Sequence, residues 1–168
     1  MALTKLNNQS LTAVTSAGLP SGTVLQVVQG TPPTSNYLQT STAFTDVPGF
    51  TASITPQSSS SKILVMVTAR LDNNAGNTVN ARGHIALLRG TTIIHKQFVG
   101  VYIGDSGANN RNVYDSVSLF SLDSPATTSQ VTYKIQIASE TTSNTTRIEG
   151  SPSSSSTYSS FTLMEIAG

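Results

Sequence analysis

The stretch FTDVPGFTASITPQSSSSKILVMVTARL, Phe44 to Leu71, decides the fold. Phe50, Ala52 and Ile54 alternate with Thr51, Ser53 and Thr55. A period of two puts one face of an extended strand against a core and the other in water. Pro56 ends that strand, because it has no amide hydrogen to give to a ladder. The polar run Gln57 to Ser61 has nothing to bury and reads as a loop. Lys62 then opens a nearly unbroken apolar run, Ile63-Leu64-Val65-Met66-Val67. A strand with one wet face alternates, so a continuous run predicts a central strand buried on both faces, covered by a second sheet or by another subunit.

Strand signals of the same kind recur about every ten residues on either side. Before the pair lie VLQVVQ at 24–29 and SNYLQ at 35–39, separated by Thr-Pro-Pro-Thr. After it comes RGHIALLRG at 82–90, where Ile85 and Leu87 face one way and Ala86 and Leu88 the other. Gly90-Thr91 turns it tightly into TIIHKQFVGVYIG, which predicts a hairpin. VYDSVSLFSL follows and stops at Asp123-Ser124-Pro125. In TYKIQIAS at 132–139, Tyr133, Ile135 and Ile137 point inward while Lys134 and Gln136 point outward. A short RIE strand and the low-complexity SPSSSSTYSS precede FTLMEIAG, a terminal apolar strand expected to insert between others. Polar loops are expected at 72–81, 104–112 and 139–159. Nine or ten short strands with long polar loops point to an all-β antiparallel β-sandwich of the jelly-roll kind. An immunoglobulin-type sandwich lacks its core here, because there is neither Cys nor Trp.

Residues 1–22 differ from the rest. Leu3, Leu6, Leu11 and Val14 are spaced loosely and allow a weak amphipathic turn or two before Gly18, Pro20 and Gly22. The chain therefore divides into an N-terminal arm, 1–22, and a β-sandwich knob, 23–168. The competing view of the arm is a terminus with no role.

Composition narrows the function classes. At 168 residues the chain is one domain with a short appendage. Only 10% of residues are charged, and the formal net charge is +1, with the basic residues scattered singly. No basic stripe exists to neutralise phosphates, which disfavours nucleic acid as a partner. The absence of cysteine excludes disulfides and thiolate metal sites, so stability has to come from packing or oligomerisation. Asn7, Asn8 and Gln9 interrupt any signal-peptide core, and no run approaches the ~18 apolar residues of a membrane span. A soluble protein assembled in a cytoplasm, with no membrane insertion, is expected.

Catalytic constellations are missing from the pattern. A Ser-His-carboxylate triad would have to be assembled arbitrarily from many serines and two histidines, His84 and His95. There is no Gly-x-Ser-x-Gly elbow, phosphate-cradling Gly loop or His-Glu-x-x-His. His84 and His95 lie in one predicted hairpin, yet no third ligand accompanies them. Asp72, Asn74 and Asn77 around Gly76 have a calcium-loop flavour but lack the bidentate Glu. The acids are too dispersed for paired glycosidase carboxylates. No catalytic residue, metal or cofactor is assigned, and a glycan-processing enzyme is disfavoured.

Several segments together carry a resemblance: LNNQSLTAVTSAGLPSGTVLQVVQ, FTDVPGFTASITPQSSSSKILV, ALLRGTTII, LDSPATTSQVTYKIQ and FTLMEIAG. Over nearly the whole chain the sequence resembles small bacteriophage virion proteins of the tail-fibre or virion-structural kind. The resemblance implies a C-terminal sandwich related to trimeric fibre heads, attached to other virion proteins by the N-terminal segment, with localisation to the virion. Two roles follow from it: a homotrimeric fibre or fibre tip that touches a host-surface glycan, or a decoration of the capsid. For the first, the Asn- and Gly-rich loops and their flanks supply a candidate receptor set, Asp72, Asn74, Arg82, Tyr102, Asp105 and Arg111. Amides and carboxylates hydrogen-bond sugar hydroxyls, and a Tyr ring can stack on a sugar face.

Overall fold

The structure, a computed structural model, describes residues 19–75, 80–102, 112–150 and 159–168. These hold ten strands and, among the described residues, no helix: β1 (Val24–Gln29), β2 (Tyr37–Gln39), β3 (Thr45–Ile54), β4 (Lys62–Asn74), β5 (Asn80–Arg89), β6 (Thr92–Tyr102), β7 (Asn112–Asp123), β8 (Val131–Ser139), β9 (Thr145–Ile148) and β10 (Ser160–Ile166). All pairings are antiparallel. β1 pairs with β10, β3 with β8, β4 with β7 and β5 with β6, a nested set. Two further pairings, β10 with β4 and β8 with β5, join these ribbons into sheets.

The larger sheet runs β1-β10-β4-β9-β2 with β7 also on β4, and the smaller runs β3-β8-β5-β6. β4 organises the larger one. β7 follows it along one edge, from Ile63 opposite Asp123 to Asn74 opposite Asn112. Its other edge is shared, β10 taking Lys62–Thr68 and β9 taking Leu71–Asn74.

The two sheets pack face to face over one apolar core. Ile63, Val65, Val67 and Leu71 of β4, with Leu119, Phe161 and Leu163, meet Phe50, Ile54, Ile85, Leu87, Tyr133, Ile135 and Ile137 of the smaller sheet. Phe50 and Phe161 meet edge to face across the interface, with centroids 5.7 Å apart, an arrangement favoured by the ring quadrupoles. The buried Tyr133 hydroxyl donates to Asp123 Oδ2 at 2.8 Å, and Arg89 Nη1 donates to the same oxygen at 2.7 Å. Burial and that carboxylate raise the Tyr133 pKa far above its ordinary value.

The inward alternation of β3 and β8, the two-sided reading of β5 and the hairpin all hold. Gly90 has φ +57°, the left-handed value that the first central position of a II′ hairpin turn requires. β10 does insert between β1 and β4, and the backbone bonds Gly22 N–H to Ala167 O and Ala167 N–H to Thr23 O, both 2.8 Å, fasten the chain end.

Within the chain the second sheet covers one face of the Ile63–Val67 run: Ile63, Val65 and Val67 are buried in the core, while Leu64 and Met66 point away from it and are partly exposed. One expectation is corrected. Asp72, Asn73 and Asn74 are not loop, because ladder partners on both edges, from β7 and β9, outweigh their turn preference. The arm residues Leu3, Leu6, Leu11 and Val14 lie outside the described residues.

Candidate functional site

Of the receptor set expected from sequence, the structure sets Asp72 and Arg82 apart. Asp72 lies on the outer face of the larger sheet, 5% exposed, and accepts a hydrogen bond from Arg147 Nη2. Arg147 also contacts Glu149 at 3.2 Å, and Glu149 pairs with Arg70 at 2.9 Å. Burial raises the pKa of Asp72, with Arg147 pulling against it. This carboxylate is one end of a charge chain that ties β4 to β9, and is not open to a ligand. The Asn74 amide donates to Asn112 Oδ1. Arg82 belongs to β5 in the smaller sheet, where it pairs with Glu140 at 3.1 Å. It faces away from the core, as Asp72 does, but on the opposite side of the sandwich, so the two cannot share a ligand. Tyr102 closes β6, its backbone opposite Asn80, while Asp105 and Arg111 lie outside the described residues. The strand ends that flank the two loops are nonetheless neighbours, Asn74 opposite Asn112 and Asn80 opposite Tyr102.

The histidines do not converge either. His84 is opposite Phe98 and His95 opposite Leu87, rungs three apart, so the rings emerge on opposite faces of the smaller sheet. Among the described residues no group of three or more His, Asp or Glu is placed to hold a metal ion.

Among the described residues two surface features stand out, one on each outer face. On the larger sheet the register aligns Val27, Met164, Leu64 and Leu122 in one row across four strands, and Gln29, Thr162, Met66 and Phe120 in the next. Val27 is 53% exposed, and Phe120 and Leu122 are each 57% exposed. A hydroxyl row follows, Ser160, Thr68 and Ser118, in which Thr68 and Ser160 share a hydrogen bond at 2.8 Å. Beyond it lie Arg70, Asp72, Arg147 and Glu149, with the Arg70 guanidinium 5.0 Å from the Tyr114 ring centre. The face is thus apolar at one end and internally ion-paired at the other.

On the smaller sheet, three rings lie side by side on the face away from the core. Phe98 meets His84 edge on, with centroids 5.1 Å apart, and His84 meets Phe44 at 6.0 Å. Ala138, opposite His84 on β8, is fully buried, and its small side chain leaves room for Phe44 to reach across. Arg82 stands 5.5 Å from the Phe98 centroid and Lys96 5.9 Å from that of Phe44.

Burial lowers the His84 pKa below 6.5, and the Lys96 charge lowers it further. The folded state therefore holds a neutral ring longer than the unfolded chain does. As pH falls below about 6.5 the unfolded chain binds the proton first, and stability is lost. Chemical denaturation is expected to give a lower unfolding free energy at pH 5.5 than at 7.5. His84→Gln is expected to reduce that difference; an unchanged difference would place its origin elsewhere.

No family model matches this chain, and no curated protein matches it. Among solved structures, dimeric latent PorU from Porphyromonas gingivalis aligns with a TM-score of 0.33 and 10% identity, over 88% of this chain and 14% of that one. This chain thus spans a small part of that protein's length, and a likeness at that level carries no argument about fold or function.

Proposed function

We propose that this chain is a bacteriophage virion structural protein, a homotrimeric jelly-roll module of a fibre or fibre tip, joined to the particle through residues 1–22 and facing the host surface. The strand order supports the jelly roll. Leaving aside the short β2 and β9, four strands remain in each sheet, β1-β10-β4-β7 and β3-β8-β5-β6. Their nested pairing is that of one long hairpin, tipped at β5–β6, rolled so that successive ribbons fall in alternate sheets. The virion assignment is supported by the resemblance to small phage structural proteins along nearly the whole sequence.

The observation that carries the reading is the apolar row Val27, Met164, Leu64 and Leu122 with Met66 and Phe120 beside it. Covering ~300 Å² of such surface per copy contributes about 7 kcal/mol at ~25 cal/mol per Å². Association costs an amount of the same order, and a stable interface takes about 800 Å² per partner. The neighbouring hydroxyl and ion-paired rows are therefore needed to complete it, and their charges are already compensated within the chain. Three copies with these faces turned to a common axis would leave the smaller sheets outermost.

Light scattering at micromolar concentration is expected to read three times the 17.6 kDa of the chain. The double variant Phe120→Asp, Leu122→Asp is expected to be a folded monomer, since both positions are on the surface. A monomeric wild-type protein overturns the assembly, and a dimer keeps the interface but overturns the threefold axis. Antibody labelling of intact particles tests the location: label on the fibre supports the proposal, whereas label on the head means capsid decoration.

A further inference from the structure

We infer that the outer face of the smaller sheet is a binding site for an acidic sugar, with Phe44, His84 and Phe98 as the platform and Lys96 as the carboxylate contact. The inference rests on the host-surface reading above and names a different place and ligand class from the loop set. The core does not account for these rings. Phe44, His84 and Phe98 stand on the far side of the sheet, and Phe98 is 47% exposed in the middle of a strand. They come from β6, β5 and the residue before β3, so only the register brings them into one surface.

The charges beside the rings are unequal. Lys134 is paired with Asp46 at 2.8 Å and Arg82 with Glu140 at 3.1 Å. Lys96 is exposed and forms no ion pair among the described residues, its contact being the Phe44 ring. The face therefore presents one uncompensated ammonium at the border of an apolar platform, with a second cation on the other side of His84. A sugar carrying a carboxylate fits both halves. Its C–H hydrogens carry the partial positive charge that the negative face of an aromatic ring attracts. Its carboxylate accepts from the Lys96 ammonium, and a neutral imidazole offers one donor and one acceptor to hydroxyl groups. A neutral sugar would leave Lys96 unused, and a plain polyanion would leave the rings unused.

Affinity electrophoresis of the full chain tests this, with polygalacturonate, neutral dextran or dextran sulfate in the gel. Retardation by polygalacturonate is expected, with little by dextran or dextran sulfate. Phe98→Leu, which keeps apolar bulk without a ring, and Lys96→Gln are each expected to weaken retardation about tenfold, while Gln130→Ala in the exposed loop between β7 and β8 leaves it unchanged. A thermal transition retained by each variant confirms folding. No retardation by polygalacturonate, equal retardation by dextran sulfate, or indifference to Phe98→Leu overturns the inference. Binding to host cells that survives Phe98→Leu overturns the site and leaves the host-surface reading standing. Phe98-dependent retardation by a protein that binds no host cell supports the site and overturns that reading.

Discussion

Val65→Asp is expected to leave no soluble folded protein. Val65 is fully buried at the centre of β4, opposite Leu163 on one side and Ser121 on the other, and points into the core shared by both sheets. An ionised carboxylate there would lose its hydration among Val, Ile, Leu and Phe side chains. The desolvation cost is several kcal/mol, and about 2 kcal/mol of apolar burial is lost with the valine. Domain stabilities are about 5–15 kcal/mol, so the sum consumes most or all of the margin. The neighbouring Leu64 faces outward, so Leu64→Asp is expected to fold and instead to weaken association. Soluble yield and the thermal transition of the two variants check the pair. A soluble Val65→Asp protein with the wild-type transition would mean that the two strand faces have been exchanged.

The same strand shows what the sequence could and could not reveal. Alternation in Thr51–Ile54 and in Thr132–Ser139 was legible because each of those strands has one core face and one polar face. In Ile63–Val67, Ser118–Leu122 and Phe161–Ile166 both faces carry apolar residues, and composition alone does not say whether the second face is covered by the chain or by a partner. The register answers the first half: Leu64, Leu122 and Met164 fall in one row on the side away from the core. Asp72–Asn74 read as loop because Asn and Asp dominate turns, whereas strand pairing with β7 and β9 is a tertiary effect. Arg147 and Glu149 had no role from sequence, yet Arg147 occupies the Asp72 carboxylate and Glu149 pairs with Arg147 in turn. The ring platform was illegible for a related reason. Phe44, His84 and Phe98 are far apart in the chain, and nothing local in β3, β5 or β6 signals that Ala138 lies between two of them. Outward parity along β5 and β6, which puts Arg82, His84, Lys96 and Phe98 on one face, was the signal available.

Gly83→Ala is expected to destabilise the fold by roughly 3 kcal/mol, the upper part of the overpacking range. Gly83 does not have the left-handed backbone of Gly90, so a side chain would be tolerated if there were room. There is none. A Cβ at this position would lie 1.9 Å from Thr146 Oγ1 and 2.7 Å from Asn73 Oδ1. Both neighbours are fully buried in the larger sheet, and Ser139 of the smaller sheet joins them in a bridge between the sheets. Thr146 Oγ1 donates to Asn73 Oδ1 at 2.9 Å, while the Ser139 hydroxyl donates to Gln39 O at 2.7 Å and lies 3.4 Å from Thr146 Oγ1. The added methyl has to separate the sheets at this end or break the bridge, and a buried polar atom left without its partner costs about 1–3 kcal/mol. Gly90→Ala meets nothing within 4 Å and is expected to cost only about 1–2 kcal/mol of left-handed strain. Thr146→Ala removes both Thr146 atoms that the methyl would strike, so in the Gly83→Ala background it is expected to recover part of the loss, although alone it destabilises. Denaturant titration of the two single variants and the double variant measures this as a coupling energy. Simple additivity would show that the contact between Gly83 and the bridge does not govern how closely the sheets approach.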